Sequence, residues 1–283
     1  MAPILTRENV LTTLDPQPSG AWAGRLRVDE RNTFFFDHTL DHIPGMLLFE
    51  GLLRAAEHVA VAGHGSPPGF RLSSARLRMT KMCEKDQPVD VEILAPAPVH
   101  GGVQHCEVVV RQGDATPCAG TLSLTPATDG EHGCSPPGGG RPIDPALVHK
   151  RDREAVLIGA FHVDPPGYRA EVLPPTNDDD LAVHPDTLLL EMCRQFATSS
   201  MHVFEGLPFD GLLLLTTIDV DMRAPVPPGR PIHLWSGYRP RGGRKYSFSA
   251  EIRTDTETLG VVTMAANGLP KKVYAQLRDS GRI

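Results

Sequence analysis

A chain of 283 residues with 40% hydrophobic and 22% charged residues has ordinary globular usage, which excludes wholesale disorder and collagen-like repeats. Lys plus Arg number 28 against 34 Asp plus Glu, for a net charge of −6, and no basic run stands out, so neither nucleic acid nor a membrane is an expected partner. The longest apolar stretches, such as Gly211–Leu215, fall far short of the ~20 residues of a bilayer span. The opening MAPILTRENVLTTLDPQPSG lacks a basic region followed by an apolar run, so a cytoplasmic location is expected. Five cysteines form an odd set with no CxxC pair and no His at ligand spacing, so they read as buried small hydrophobes. No metal and no cofactor is expected.

The length predicts two domains, and in chain order the two halves repeat each other. Strand-like Ala23–Asp29 and Thr33–Phe36 precede a helix at Pro44–Glu57, PGMLLFEGLLRAAE, with Pro-Gly at its entry. Alternating segments follow at Leu72–Thr80, Val89–Ala95, His105–Arg111 and Ala119–Leu124. Residues 127–145 are rich in Gly and Pro and read as a linker between repeats 1–126 and 146–283. In the second half, strands at Val156–Val163 and Tyr168–Leu173 precede a helix at His184–Met201. Strands at Leu212–Arg223, Ile232–Tyr238, Tyr246–Arg253 and Leu259–Ala265 follow it. Each unit is one apolar helix wrapped by a curved antiparallel sheet. Two of them make an α+β double hotdog, an internal pseudo-dimer.

The densest chemical signal is FFFDHTLDHIPGMLLFE, residues 34–50. It sets Asp37, His38, Asp41 and His42 just before the Pro44–Gly45 helix entry. Unpaired N–H groups and partial positive charge at such an entry can polarise a carbonyl. An imidazole beside it can move a proton, with a carboxylate to orient it. Glu50 falls on an otherwise apolar face, where burial is costly without a partner or a task. The second helix carries His184 at its entry, then Glu191, Arg194 and Gln195. Glu191 and Arg194 are spaced to pair with each other, while Arg194 and Gln195 are also suited to hold an anionic or carbonyl group. The acidic run Asn177–Asp180 reads as a solvated loop, and Arg239–Lys245 as a hairpin loop suited to a phosphate or an acidic carrier.

Together, FDHTLDHIPGMLLFEGLLRAA resembles the DHPxDHVPGMLLLEAARQAA signature of the A-factor biosynthesis hotdog family, whose members make γ-butyrolactone precursors. HPDTLLLEMCRQFATSSMH resembles that family's other half-motif, HDPLLLAEAxRQAxxLxxH. The Pro-Gly-then-Glu helix is more distantly similar to β-hydroxyacyl-carrier-protein dehydratases, in which a loop His and a helix carboxylate from two halves share one site. In the family the two motifs stand in the opposite order, and EGLLRAA replaces EAARQAA here.

The resemblance implies transfer of a β-ketoacyl group from an acyl carrier protein or CoA thioester to a small hydroxylated acceptor such as dihydroxyacetone phosphate. Candidate catalytic residues are His38, Asp41, His42, Glu50 and Glu191, with His38 or His42 as base and Asp41 orienting it. Candidate substrate-binding residues are Gly45, His184, Arg194 and Gln195. Dehydration or hydrolysis of an acyl thioester is the alternative, as is an inactive acyl-binding partner. The acid and imidazole are expected from opposite copies, bordering one apolar slot. Monomer and homodimer are both open.

Overall fold

The computed structural model describes residues 10–37, 40–64, 69–94, 96, 101–127, 140–176, 183–209, 211–227, 229–237 and 245–280. His38, Cys134, the run Asn177–Asp180 and residues 239–244 of the basic loop lie outside them, as does most of the linker. Two compact units emerge: residues 1–133 with 177–188, and residues 134–176 with 189–283. The described residues 183–188, at the start of the second helix, therefore belong with the first unit.

In the first unit the strands are β1 (Leu11–Pro16), β2 (Trp22–Leu26), β3 (Phe70–Met79), β4 (Asp90–Leu94), β5 (Gln104–Gln112) and β6 (Ala115–Pro126). They pair antiparallel in the order β1-β2-β4-β5-β6-β3. Alternation sets the faces: in β4, Val91 and Ile93 are buried between half-buried neighbours. Helix α1 (Gly45–His64) lies against all six strands, with Phe49, Leu52, Leu53, Ala55 and Ala56 sealed from solvent. Gly51, where the resembled motif has Ala, marks a close approach: a Cβ there would stand 2.6 Å from Leu26 Cδ1.

The second unit has β7 (Ile158–Asp164), β8 (Gly167–Val172), β9 (Leu212–Met222), β10 (His233–Gly237), β11 (Lys245–Arg253) and β12 (Thr258–Leu269), ordered β9-β12-β11-β10-β8-β7. Helix α2 (Pro185–Glu205) packs by aromatic contact, Phe196 against Phe161, Tyr168 and Phe248, and Phe204 against Phe161 and Tyr168. A short helix α3 (Lys271–Asp279) closes the described chain. One helix on one antiparallel sheet, made twice, is the double hotdog.

Three differences from the sequence reading have physical reasons. Thr33–Phe36 is a turn, not a strand: Asn32 Oδ1 accepts the Phe34 N–H at 3.0 Å and Asn32 O accepts the Phe36 N–H at 3.0 Å, which takes the backbone out of any ladder. Strand β1, absent from that reading, is short and ends in Asp-Pro; as an edge strand it tolerates Pro16. Strand β12 runs on past Ala265 through Ala266 and Asn267, weak strand formers, because β9 and β11 pair with both residues from either side.

Truncating Leu52, which has no exposure, to Ala should cost about 2–5 kcal/mol of unfolding free energy. Urea titration followed by circular dichroism measures it. A change under 1 kcal/mol, on the order of a surface substitution, would mean that the helix does not form this core.

Candidate functional site

Helix α1 is apolar except along one stripe, where Glu50, Arg54 and Glu57 recur at the spacing that brings side chains to one face. Glu50 is wholly buried. Its Oε1 accepts a hydrogen bond from Arg54 Nε at 2.8 Å and another from the His184 N–H at 3.0 Å. Its Oε2 is buried with no hydrogen-bond partner among the described residues. Arg54 reaches the other way too, with Nη1 3.8 Å from Glu57 Oε2.

His184 caps α2. Its carbonyl accepts the Leu188 N–H, and its ring Nδ1 accepts the Asp186 N–H at 3.1 Å. The ring's Nε2 faces Glu57 Oε2 at 3.7 Å, an ion-pair distance beyond hydrogen-bond length. Asp186 Oδ2 stands 3.6 Å from Nδ1 and accepts the Leu72 N–H at 2.6 Å. Burial disfavours charge on the imidazole, yet Glu57, Asp186 and Glu50 outweigh it and raise the pKa of His184. Burial likewise pushes Glu57 up, but His184, Arg54 and the Phe70 N–H bring its carboxyl below the usual range. Asp186 goes the other way: burial raises it, only partly opposed by His184, the Leu72 N–H and Arg71. All of these residues belong to the first compact unit, so the acid of the first motif and the imidazole of the second meet within it.

The loop before α1 supplies a second couple. His42 Nδ1 lies 2.8 Å from Asp41 Oδ1, with the ring partly accessible and Asp41 half exposed. Asp37 is buried. Gly45 opens the helix, and the intrahelical bonds start with the Leu47 and Leu48 N–H groups on Pro44 O. Helix geometry leaves the earlier amides, of Gly45 and Met46, without an intrahelical acceptor.

In the second unit, Glu191 is the centre of a cluster that consumes its own polar groups. Glu191 Oε2 accepts from Arg194 Nε at 2.6 Å, while Oε1 accepts from Arg194 Nη2 at 2.7 Å and Gln195 Nε2 at 3.1 Å. Lys150 Nζ stands 3.3 Å from Oε1. Arg194 Nη2 also donates to Val148 O, and the Gln195 amide bonds Ala155 O and the Leu157 N–H. Burial raises the Glu191 carboxyl, but Arg194, Lys150 and Gln195 pull it down to about 2. The pairing of Glu191 with Arg194 is thus realised, and Gln195 ties the helix to the segment before β7.

Burial pushes the thiols of Cys83 and Cys118 up to about 12 and that of Cys106 to about 11, which leaves no thiolate nucleophile among them. No group of three or more potential metal ligands occurs among the described residues, and no helix there is long and apolar enough to cross a membrane. Glu57 and Lys150 escape a motif-by-motif reading. Glu57 was findable as the next member of the Glu50–Arg54 stripe, whereas Lys150 sits after a short 3-10 turn (Pro145–Val148) in a segment with no periodicity.

The model of the A-factor biosynthesis hotdog domain matches residues 6–128 and again 136–266. The chain belongs to this family. A curated relative, 2-oxo-3-(phosphooxy)propyl 3-oxoalkanoate synthase of Streptomyces virginiae, is 32% identical over 92 residues, which is 32% of this chain and 30% of that protein. The match therefore spans less than a third of the relative's length. Among solved structures, the tesB protein of Mycobacterium avium subspecies paratuberculosis superposes with a TM-score of 0.57 at 15% identity, over 91% of this chain and 96% of that one. A bifunctional dehydratase-cyclase domain of ambruticin biosynthesis gives 0.54 at 16% identity, over 91% and 94%. These structural likenesses establish the fold that the family name denotes.

Because the folded Glu191 carboxyl lies near 2 and its ordinary value near 4.5, its stabilisation is complete above pH 4.5 and is lost as the pH falls toward 2. Glu191→Gln should cost about 3 kcal/mol at pH 7 and should remove that part of the acid sensitivity. Urea unfolding at pH 7 and pH 3 measures both. An unchanged acid dependence in the variant would refute the role of this cluster.

Proposed function

We propose that this protein is an acyltransferase that moves a β-ketoacyl group from a carrier-protein or CoA thioester to a small hydroxylated acceptor such as dihydroxyacetone phosphate. The observation that carries the reading is the Asp41–His42 couple directly before the entry of α1. A carboxylate on Nδ1 holds that proton in place and makes Nε2 the basic nitrogen. The acceptor hydroxyl gives its proton to His42 Nε2 as its oxygen bonds the thioester carbonyl carbon. The amide groups of Gly45 and Met46 stabilise the developing oxyanion. The C–S bond then breaks, and the departing sulfur takes the Nε2 proton of the His184 imidazolium, the one that no hydrogen bond holds among the described residues. Exchange with water restores both rings. Glu50 Oε2, a buried acceptor, receives a donor from the bound substrate. Glu191, Arg194 and Gln195 hold the second helix in place, so their part is positional. Family membership and the Streptomyces virginiae relative support the substrate class.

A second reading rests on the His184 and α1 carboxylate cluster alone. An imidazole and a carboxylate suffice to dehydrate a β-hydroxyacyl thioester and need no acceptor.

Incubation with β-ketoacyl carrier protein, with and without dihydroxyacetone phosphate, and separately with β-hydroxyacyl carrier protein, followed by mass spectrometry, separates the readings. Acceptor-dependent loss of the thioester with a mass gain on the acceptor is the expected result. Acceptor-independent loss, loss of water from a β-hydroxyacyl substrate, or acyl binding without turnover each contradicts transfer. His42→Ala should fold normally and lose about 10²- to 10⁴-fold in kcat. Undiminished turnover in that variant removes His42 as the base.

A further inference from the structure

We propose that Glu57 is a positioning residue, one that holds the His184 ring with its Nε2 proton toward α1. The inference rests on the reading of His184 as the proton donor, and its first test does not require turnover.

The geometry fixes the ring from three directions. The Asp186 N–H donates to Nδ1 at 3.1 Å, so in the neutral ring the proton resides on Nε2. That nitrogen faces Glu57 Oε2 at 3.7 Å. When the ring gains its second proton, Nδ1–H has the Asp186 carboxylate, 3.6 Å away, as its nearest anion. Glu57 is in turn located by Arg54, whose guanidinium pairs with Glu50 at 2.8 Å and lies 3.8 Å from Glu57. One arginine thus spans two carboxylates on the helix stripe. Glu50 takes the main-chain N–H of His184, and Glu57 faces its side chain.

Among the described residues, the charged groups around the ring are Glu50, Arg54 and Glu57 from α1, Asp186 from its own helix, and Arg71 of β3 through its effect on Asp186. Among them Glu57 is the carboxylate facing Nε2. Asp186 is already bound to the Leu72 N–H, and Glu50 is engaged through Oε1 by Arg54 and the main chain. Unlike the wholly buried Glu50, Glu57 retains some exposure, with 22% of its side-chain surface accessible, so a neutral isostere can replace it without stranding a charge in the core.

The experiment is a nitrogen-15 NMR titration of the imidazoles in the full chain, with His184 assigned by its loss in His184→Asn. Wild type is compared with Glu57→Gln and Glu57→Asp. In the wild type the neutral ring should show the Nε2–H tautomer. Removing the facing carboxylate should lower the His184 midpoint by about one unit in Glu57→Gln, and Glu57→Asp should restore part of the shift. In transfer assays the alkaline limb of kcat should move to lower pH by the same amount, with KM little changed. A merely structural Glu57 would alter the melting temperature and leave the titration untouched. An unchanged midpoint in Glu57→Gln, or an Nδ1–H tautomer in the wild type, overturns the proposal. A shifted midpoint with no transfer activity in any variant retains the positioning role and rejects the transfer reading instead.

Discussion

A carboxylate removed from water has to find donors, and the structure depends on how Glu50 meets that demand. Nothing on the apolar faces of α1 can satisfy it, so one oxygen collects Arg54 from the next turn and the His184 N–H from the start of α2. An unmet buried charge costs several kcal/mol on the order of a whole domain's stability, so the bond to His184 is a constraint on where α2 begins. Residues 183–188, which include this bond, belong to the first unit, whereas the rest of the helix belongs to the second.

The family motif occurs twice, and the two copies have diverged in what they do with their acid. Glu191 is saturated: both oxygens are taken by Arg194, with Gln195 and Lys150 adding to one of them. Its low carboxyl pKa, about 2, is the signature of a fixed anion that holds a helix and its neighbours together. Glu50 shares a single oxygen and leaves the other buried and unmet among the described residues. A saturated carboxylate fits a scaffold, and an unsaturated one fits a site.

Periodicity made most of the fold legible. Both long helices, their Pro entries and the strands after them follow from apolar spacing, because each element buries one face and the alternation records it. What escaped had weak local signals. Strand β1 is a short edge, Thr33–Phe36 is diverted by the Asn32 side chain, and the tail of β12 is made a strand by its neighbours rather than by its residues. At the site, Glu50, His184 and the Asp41–His42 couple were visible as polar residues in apolar or helix-entry settings. Their connectivity was not, since the link from Glu50 to the His184 backbone spans 134 residues and carries no side-chain signature at the receiving end. Glu57 shares the stripe of Glu50 and Arg54, but its facing of the His184 ring is long-range in sequence and leaves no local signal.

Hydrogen exchange measured by mass spectrometry tests whether Glu50 anchors the entry of α2. In Glu50→Gln the acceptor survives in weakened form, and in Glu50→Leu it is gone. Peptides covering residues 183–190 should exchange faster in Glu50→Leu and to an intermediate extent in Glu50→Gln, with the protection of β11 and β12 unchanged. Equal protection of residues 183–190 in all three proteins would contradict that anchoring.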